Sequence, residues 1–301
     1  MKNFLRIFLV LSIGMLNAYD ESKKIMLITY ARNGFFSNFI ASLNSIRWCE
    51  KKSITPVVCW GKKCLYYDKD GYNGSMDPWE YYFEPVSNVS IEEAKKRTDA
   101  VIHHKYADPS GKSIPNSSCQ RRGYKNLLVQ DYRKNINKTI KKYVKIKPSI
   151  LEKVDRFYKD FMSDRATIGL HIRGTDKGKH VTPVSPETIC LQANQFAESH
   201  PGCQFFVATD EVRLLEEVKK YLKGPVIFYD SYRSVNGRPV HLFPQTNNKA
   251  ILGEEVLIEA LLLSRCNKFV HTRSNVSSAV LLFNPTLENL LVYEKNTCRL
   301  R

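Results

Sequence analysis

The chain has 301 residues, of which 43% are hydrophobic, 11% aromatic and 25% charged. Those proportions exclude a disordered chain and leave room for two modest domains or one large one. The formal net charge of +16 is spread along the chain and points to an anionic partner: nucleic acid, anionic lipid or a phosphorylated ligand.

The N-terminus reads as a targeting signal. Lys2 and Arg6 precede the apolar stretch Ile7–Leu16, which the small Ala18 closes. At ~1.5 Å per residue that stretch spans about 15 Å as a helix, half a bilayer, so a cleaved signal over 1–18 fits better than an anchor. The mature chain is then expected to start near Tyr19 or Asp20. It would work in a secretory-pathway lumen or a bacterial cell envelope, touching the membrane only through that signal. Eight Cys follow, at 49, 59, 64, 119, 190, 203, 266 and 298. An even count in an exported chain permits disulfides. No CxxC occurs, which argues against a zinc ribbon or thioredoxin chemistry. Cys190 and Cys266 fall in apolar periodic segments that suit buried free thiols. Asn73, Asn88, Asn116, Asn137 and Asn275 head glycosylation sequons.

"KKIMLITYA" reads as a buried strand. "FFSNFIASLNSIRWCE" carries Phe36, Phe39, Ile40, Leu43 and Ile46 at helical spacing, and "ITPVVCW" is a second strand. Residues 61–123 read as a long irregular stretch containing the aromatic cluster "PWEYYFEPV". Residues 124–162 read as basic helix broken at Pro148, with a domain boundary near Asp164. The second half alternates cleanly. "ATIGLHI", "CQFFVATD", "PVIFYD", "KFVHT" and "ENLLVYE" are strands. Between them, "SPETICLQANQFAES", "EVRLLEEVKKYL", "GEEVLIEALLLSRC" and "NVSSAVLLF" are helices, with a polar loop at 230–252. Such alternation means an α/β fold with parallel sheets and right-handed crossovers.

Ligands of such sheets bind at the carboxyl ends of the strands. Here those ends carry His171, Arg173, Asp176 and Lys177, then Thr209 and Asp210, then His271, Thr272, Arg273, Ser274 and Asn275. The last group opens a helix, whose N-terminus favours an anion. An Arg, a Lys and a helix N-terminus on one edge suit a phosphate or diphosphate; simple strand capping in water is the plainer alternative.

These same residues carry a family resemblance. "HIRGTDK", "FFVATDE" and "GEEVLIEALLLSRCNKFVHTRSNVSSAVLLFNP" resemble, in order, motifs of the alpha-1,6-, nodulation-type and protein O-fucosyltransferases. "NGFFSNF" and "DPWEYYFEPV" are similar to first-domain segments of the nodulation type. The resemblance implies a GT-B fold of two Rossmann-like domains, 19–164 on the acceptor side and 165–301 binding a nucleotide sugar. It implies inverting, metal-independent transfer of fucose from GDP-fucose to a glycan or glycoprotein hydroxyl. By the same resemblance Arg173 holds the donor β-phosphate and His171 lies near guanine and ribose. Asp176 and Lys177 line that cleft, Asp210 sits in the "ATD" segment, Glu259 reads the guanine, and Ser274 and Asn275 form the phosphate-contacting turn. Thr272 joins the donor-binding set from its place at a strand end. The chain departs from the alpha-1,6 enzymes at Gly174, where they carry a second arginine. It departs again at Lys179, His180 and Val181, where their glutamate has no counterpart.

Glycosyl transfer needs a cation for the leaving diphosphate, for which Arg173 is suited, and a base for the acceptor hydroxyl. His180, Asp176 and His241 are the candidate bases. Glu259 can accept two hydrogen bonds from the N1–H and amino group of guanine; an ordinary salt bridge with Lys249 or Arg265 is its alternative role. "YYDKDGY" places Asp68 and Asp70 at the spacing that grips manganese in other transferases. An Asp-Lys-Asp-Gly turn is the favoured reading, and no metal or other cofactor is expected. Two competing functions remain: a transferase using another nucleotide sugar, and a secreted non-catalytic polyanion- or glycan-binding protein. The latter would use "RKNINKTIKKYVKIK" (133–147) as its patch, with nucleic acid not expected as the partner.

Overall fold

The computed structural model describes residues 24–29, 34–97, 101–103, 114, 121–174, 184–244 and 246–292. The apolar segment Ile25–Thr29 (β1) pairs in parallel with Thr55–Cys59 (β2) on one side and Val101–His103 (β3) on the other. Helix Phe35–Lys52 (α1) joins β1 to β2. Its predicted stripe is fully inward: Phe36, Phe39, Ile40, Leu43 and Ile46 are all buried. The stretch expected to be irregular contains β3 and the short helix Ile91–Lys96 (α2). Ser90 caps α2 by accepting from Glu93 N at 3.1 Å, a turn-sized signal inside a polar region.

Arg121–Asn126 (α3), Gln130–Tyr143 (α4) and Pro148–Phe161 (α5) then lead to the second sheet. Pro148 does not kink a long helix. It opens a new one at the first turn, where its missing N–H costs nothing.

The second sheet contains Thr167–Ile172 (β4), Gln204–Thr209 (β5), Val226–Ile227 (β6), Lys268–His271 (β7) and Glu288–Leu291 (β8). All pairs are parallel, in the order β6-β5-β4-β7-β8. Pro186–Ala197 (α6), Val212–Tyr221 (α7), Lys249–Ser264 (α8) and Asn275–Phe283 (α9) make the crossovers. Ser185 caps α6 as its sequence implies, accepting from Thr188 N at 3.1 Å. α8 starts four residues earlier than expected, at Lys249 rather than Gly253. Asn248 caps it through Ala250 N and Ile251 N. Gly253 is not a helix boundary; it is where another element touches. A Cβ there would lie 2.6 Å from Tyr82 Cζ, and the Tyr82 hydroxyl donates to Ala250 O at 2.9 Å.

The chain winds from β4 outward to β6, then crosses back to place β7 on the other flank of β4. That reversal makes the carboxyl ends of β4 and β7 a switch point, where parallel sheets leave a crevice. The two sheets are separate, yet their packing is continuous. Phe283 of α9 meets Phe36 and Phe39 of α1 at 6.2 and 5.6 Å between ring centroids. Asn137 of α4 donates to the carbonyls of Leu282 and Phe283 at 2.8 and 3.2 Å. Glu254 of α8 pairs with Lys153 of α5 and accepts from the Tyr72 hydroxyl at 2.8 Å. All six described cysteines are buried free thiols, Cys190 and Cys266 among them. No helix among the described residues is long and apolar enough to cross a membrane.

Candidate functional site

A cleft of about 410 Å³ opens at the switch point, within the roughly 300–1,000 Å³ usual for small-molecule sites. Four walls build it, one of them the segment 231–242 after β6. Strand ends supply His171, Arg173, Thr209 and Asp210, and the first turn of α9 supplies Asn275 and Val276. One face of α8 supplies Leu252, Glu255, Val256 and Glu259, spaced i, i+3, i+4 and i+7. The first sheet's side supplies Gly34–Ser37 at the start of α1, with Leu65 and Tyr66. The Tyr66 hydroxyl accepts from Phe35 N at 2.9 Å, satisfying one of the unpaired N–H groups at the start of α1.

Arg173 follows β4, and its side chain is 23% exposed. Its Nε stands 3.9 Å from Asp210 Oδ2, a loose pair at the cleft wall. Asp210 is held in turn by Gly174 N at 2.8 Å. So Asp210 ties the ends of β4 and β5 together and sets the position of Arg173. A Cβ at Gly174 would sit 2.6 Å from Leu214 Cδ1 and against the carboxylate of Glu211, so a second arginine after Arg173 would have to push both side chains aside.

His171 is buried beneath this edge. Its Nδ1 lies 3.1 Å from Ser277 Oγ and 3.3 Å from Ser274 Oγ. Ser277 Oγ donates to Thr272 O at 2.9 Å, so toward the ring it accepts. With Ser277 Oγ accepting, the His171 ring donates from Nδ1. Ser274 is fully buried and caps α9, accepting from Ser277 N at 2.9 Å. Ser274 and Thr272 do not line the cleft, whereas Asn275 does. Ser274 therefore shapes the anion-favouring helix start rather than facing a ligand. Thr209 lines the cleft, and its buried Oγ1 has no hydrogen-bond partner among the described residues.

Glu259 has neither of the partners the sequence suggested. Arg265 pairs with Asp155 at 2.6 Å instead. Glu259 Oε1 accepts from Ser231 Oγ at 2.7 Å and from Arg233 at 3.1 Å, both from the segment after β6. Burial pushes its carboxyl up to about 7, against the opposing pull of Arg233 and of the Ser231 hydrogen bond. Both hydrogen bonds from described residues fall on Oε1, and the side chain lines the cleft. Glu255, one turn earlier, accepts from Tyr232 N at 2.9 Å and is likewise raised by burial.

Asp176, Lys177 and His180 lie outside the described residues. Of the three candidate bases, His241 is the one described, and it lines the cleft. Asp68 and Asp70 do not. Asp68 Oδ1 accepts from Asp70 N at 3.0 Å and Asp68 O from Gly71 N at 3.3 Å, which is a turn closed by Gly71 at φ 76°. Among the described residues no group of three or more His, Cys, Asp and Glu could hold a metal ion. The sequence reading missed Phe35, Leu65, Tyr66 and, His241 apart, the segment 231–242 as cleft walls. "NGFFSNF" was the available signal for the first of these, and the polar loop gave none.

No protein-family model and no curated protein sequence matches the chain. Solved structures do. The fucosyltransferase NodZ from Bradyrhizobium aligns at TM-score 0.55 and 16% identity, over 91% of this chain and 97% of that one. POFUT1 in complex with GDP-fucose aligns at TM-score 0.51 and 12% identity, over 91% and 98%. Arabidopsis thaliana FUT1 in complex with GDP aligns at TM-score 0.51 and 11% identity, over 92% and 73%. Identities this low speak to the fold: it is the parallel α/β GT-B arrangement that these fucosyltransferases share.

Proposed function

We propose that this protein is a glycosyltransferase that takes fucose from GDP-fucose and delivers it, with inversion, to a hydroxyl of a glycan or glycoprotein. The observation that carries the reading is one cleft holding Arg173, the first turn of α9 and the buried carboxyl of Glu259. Arg173 and the helix start suit a diphosphate. Glu259, once ionised, offers acceptors for the paired donors of guanine, which adenine lacks and uracil only half supplies. Support also comes from the fold, since structures sharing it were crystallised with GDP and GDP-fucose.

In the reaction the acceptor oxygen bonds to the anomeric carbon of the sugar and its proton passes to a base. The anomeric C–O bond to the diphosphate breaks, and its electron pair leaves with GDP. Arg173 meets the charge that grows on the diphosphate, an interaction stronger in the transition state than in the ground state. His241 is the base candidate in the cleft, alongside Asp176 and His180 from the sequence. No step needs a metal, so activity is expected to survive EDTA; complete loss restored by manganese would reverse that. An exported compartment is part of the proposal, because residues 1–18 read as a cleaved signal; N-terminal sequencing of the natural protein tests it.

Calorimetry with GDP, UDP and ADP decides the donor. GDP should bind at least tenfold tighter than the other two, and Glu259→Ala should erase the preference. Equal binding of UDP would remove the guanosine assignment. A polyanion-binding module, the rival reading, would show no rise in melting temperature with GDP.

A further inference from the structure

Among the described residues eleven large hydrophobic side chains are exposed, and four of them fall within residues 232–243: Tyr232, Val235, Leu242 and Phe243. Clustering of this kind at the mouth of a cleft marks a binding surface rather than ordinary surface scatter. The backbone beneath them is pinned. Ser234 N donates to Asp210 O at 2.9 Å, and Val212 N donates to Ser234 O at 3.0 Å, extending the edge of the sheet by one bridge. Tyr232 N is held by Glu255, and Arg233 donates to Tyr229 O and Ser231 O at 2.7 and 3.0 Å. Leu242 N and Phe243 N both donate to Pro239 O at 3.0 Å. A segment tied down so fully presents its apolar side chains at the surface in fixed positions, with their side of the interaction already ordered.

The polar groups around them narrow the partner. The Arg238 guanidinium lies over the Phe243 ring, 5.4 Å from its centroid. A side cavity of about 160 Å³ is lined by Tyr232, Ser234, Asn236, Arg238 and Phe243, and it shares Tyr232 and Val240 with the main cleft. A pyranose has a C–H face that packs on an aromatic ring and a rim of hydroxyls that wants amide and guanidinium partners. A lipid would not need Arg238 and Asn236, and a polyanion would not need the exposed rings. We infer that residues 232–243, in the 165–301 half and not in the 19–164 half expected on the acceptor side, are the acceptor platform, on which one pyranose of a neutral glycan packs against Phe243 so that its hydroxyl reaches into the cleft. This rests on the transferase reading above, and it places His241, two residues before Phe243, between the acceptor and the donor.

The test uses the full chain, wild type and Phe243→Ala, on a printed library of neutral glycans and in transfer assays with GDP-fucose. Phe243 is 53% exposed, so its truncation should leave the melting temperature unchanged; Phe243→Tyr serves as a conservative control. Expected is a KM for the best glycan raised at least tenfold, with kcat and GDP affinity within twofold of wild type, and recovery in Phe243→Tyr. An unchanged glycan KM in Phe243→Ala overturns the platform. So does a wild type that is dimeric on size exclusion and becomes monomeric in Phe243→Ala with glycan binding intact, which would assign the patch to a second copy. If wild type binds no GDP, the donor reading fails by itself. Glycan capture that Phe243→Ala abolishes would then still support the platform, and absence of any glycan capture would overturn both.

Discussion

If Glu259 reads guanine as proposed, nucleotide recognition depends on pH in a calculable way. Burial pushes its carboxyl up to about 7, and guanine's donors need it ionised. At pH 6 about one carboxyl in ten is ionised and at pH 8 about nine in ten, since one unit is a factor of ten. Guanosine should therefore bind roughly tenfold tighter at pH 8 than at pH 6. Guanosine is the better ligand for this purpose because it lacks the phosphates, which titrate in the same range. Calorimetry at pH 7 in two buffers of different ionisation enthalpy should also show about half a proton released per ligand bound. Glu259→Gln should bind weakly and without slope. A flat profile for wild type, or a slope that survives in Glu259→Gln, would refute the claim that this carboxylate reads the base. Stability should run the other way. The folded value lies above the ordinary 4.5, so the native state holds its proton longer than the unfolded one. Stability should fall as pH rises from about 4.5 to about 7, and Glu259→Gln should flatten that limb of the denaturation curve.

Arg173→Ala should lower kcat by about 10²–10³ without changing the melting temperature, and Arg173→Lys should recover little, because one ammonium cannot make a two-pronged contact. A variant retaining more than a tenth of wild-type kcat would remove Arg173 from the leaving-group role. Gly174→Arg should not add a second diphosphate contact; crowding against Leu214 and Glu211 should cost about 1–3 kcal/mol and lower Tm by several degrees. In protein made through a glycosylating lumen, peptide mapping should find glycan on exposed Asn88. It should find none on Asn137 or Asn73, whose amide nitrogens donate to Leu282 O and Tyr81 O at 2.8 Å.

The second sheet was legible because each of its main strands is a short apolar run ended by a polar cluster, and because Ser185-Pro186 and Ser274-Asn275 announce their helices. The donor edge followed from the same punctuation: His171, Arg173, Asp210 and Asn275 are polar residues placed where apolar runs stop. What the sequence hid depends on distant partners. Gly253 looks like a helix boundary until Tyr82, far earlier in the chain, is seen lying against it. Glu259 looks available to Lys249 or Arg265 until the segment after β6 folds back and delivers Arg233. That segment itself carries no periodicity; only its tethers to Asp210 and Glu255 make it a wall. Residues 61–103 concealed β3 and α2 because a three-residue strand and a two-turn helix are too short for any repeat to declare itself.

The rings of Phe36, Phe39 and Phe283 join the two sheets across what would otherwise be a hinge. Swinging the halves apart would return such side chains to water, at about 1.5–3 kcal/mol for each one fully exposed, before the Lys153–Glu254 pair is counted. Wide-angle opening therefore carries a cost of that order, and smaller movements at the rim, where Leu242 is already half in solvent, offer ligands a cheaper route. The same adhesion should make thermal melting a single transition, and should leave either half, cut free near Asp164, with an exposed aromatic face prone to self-association.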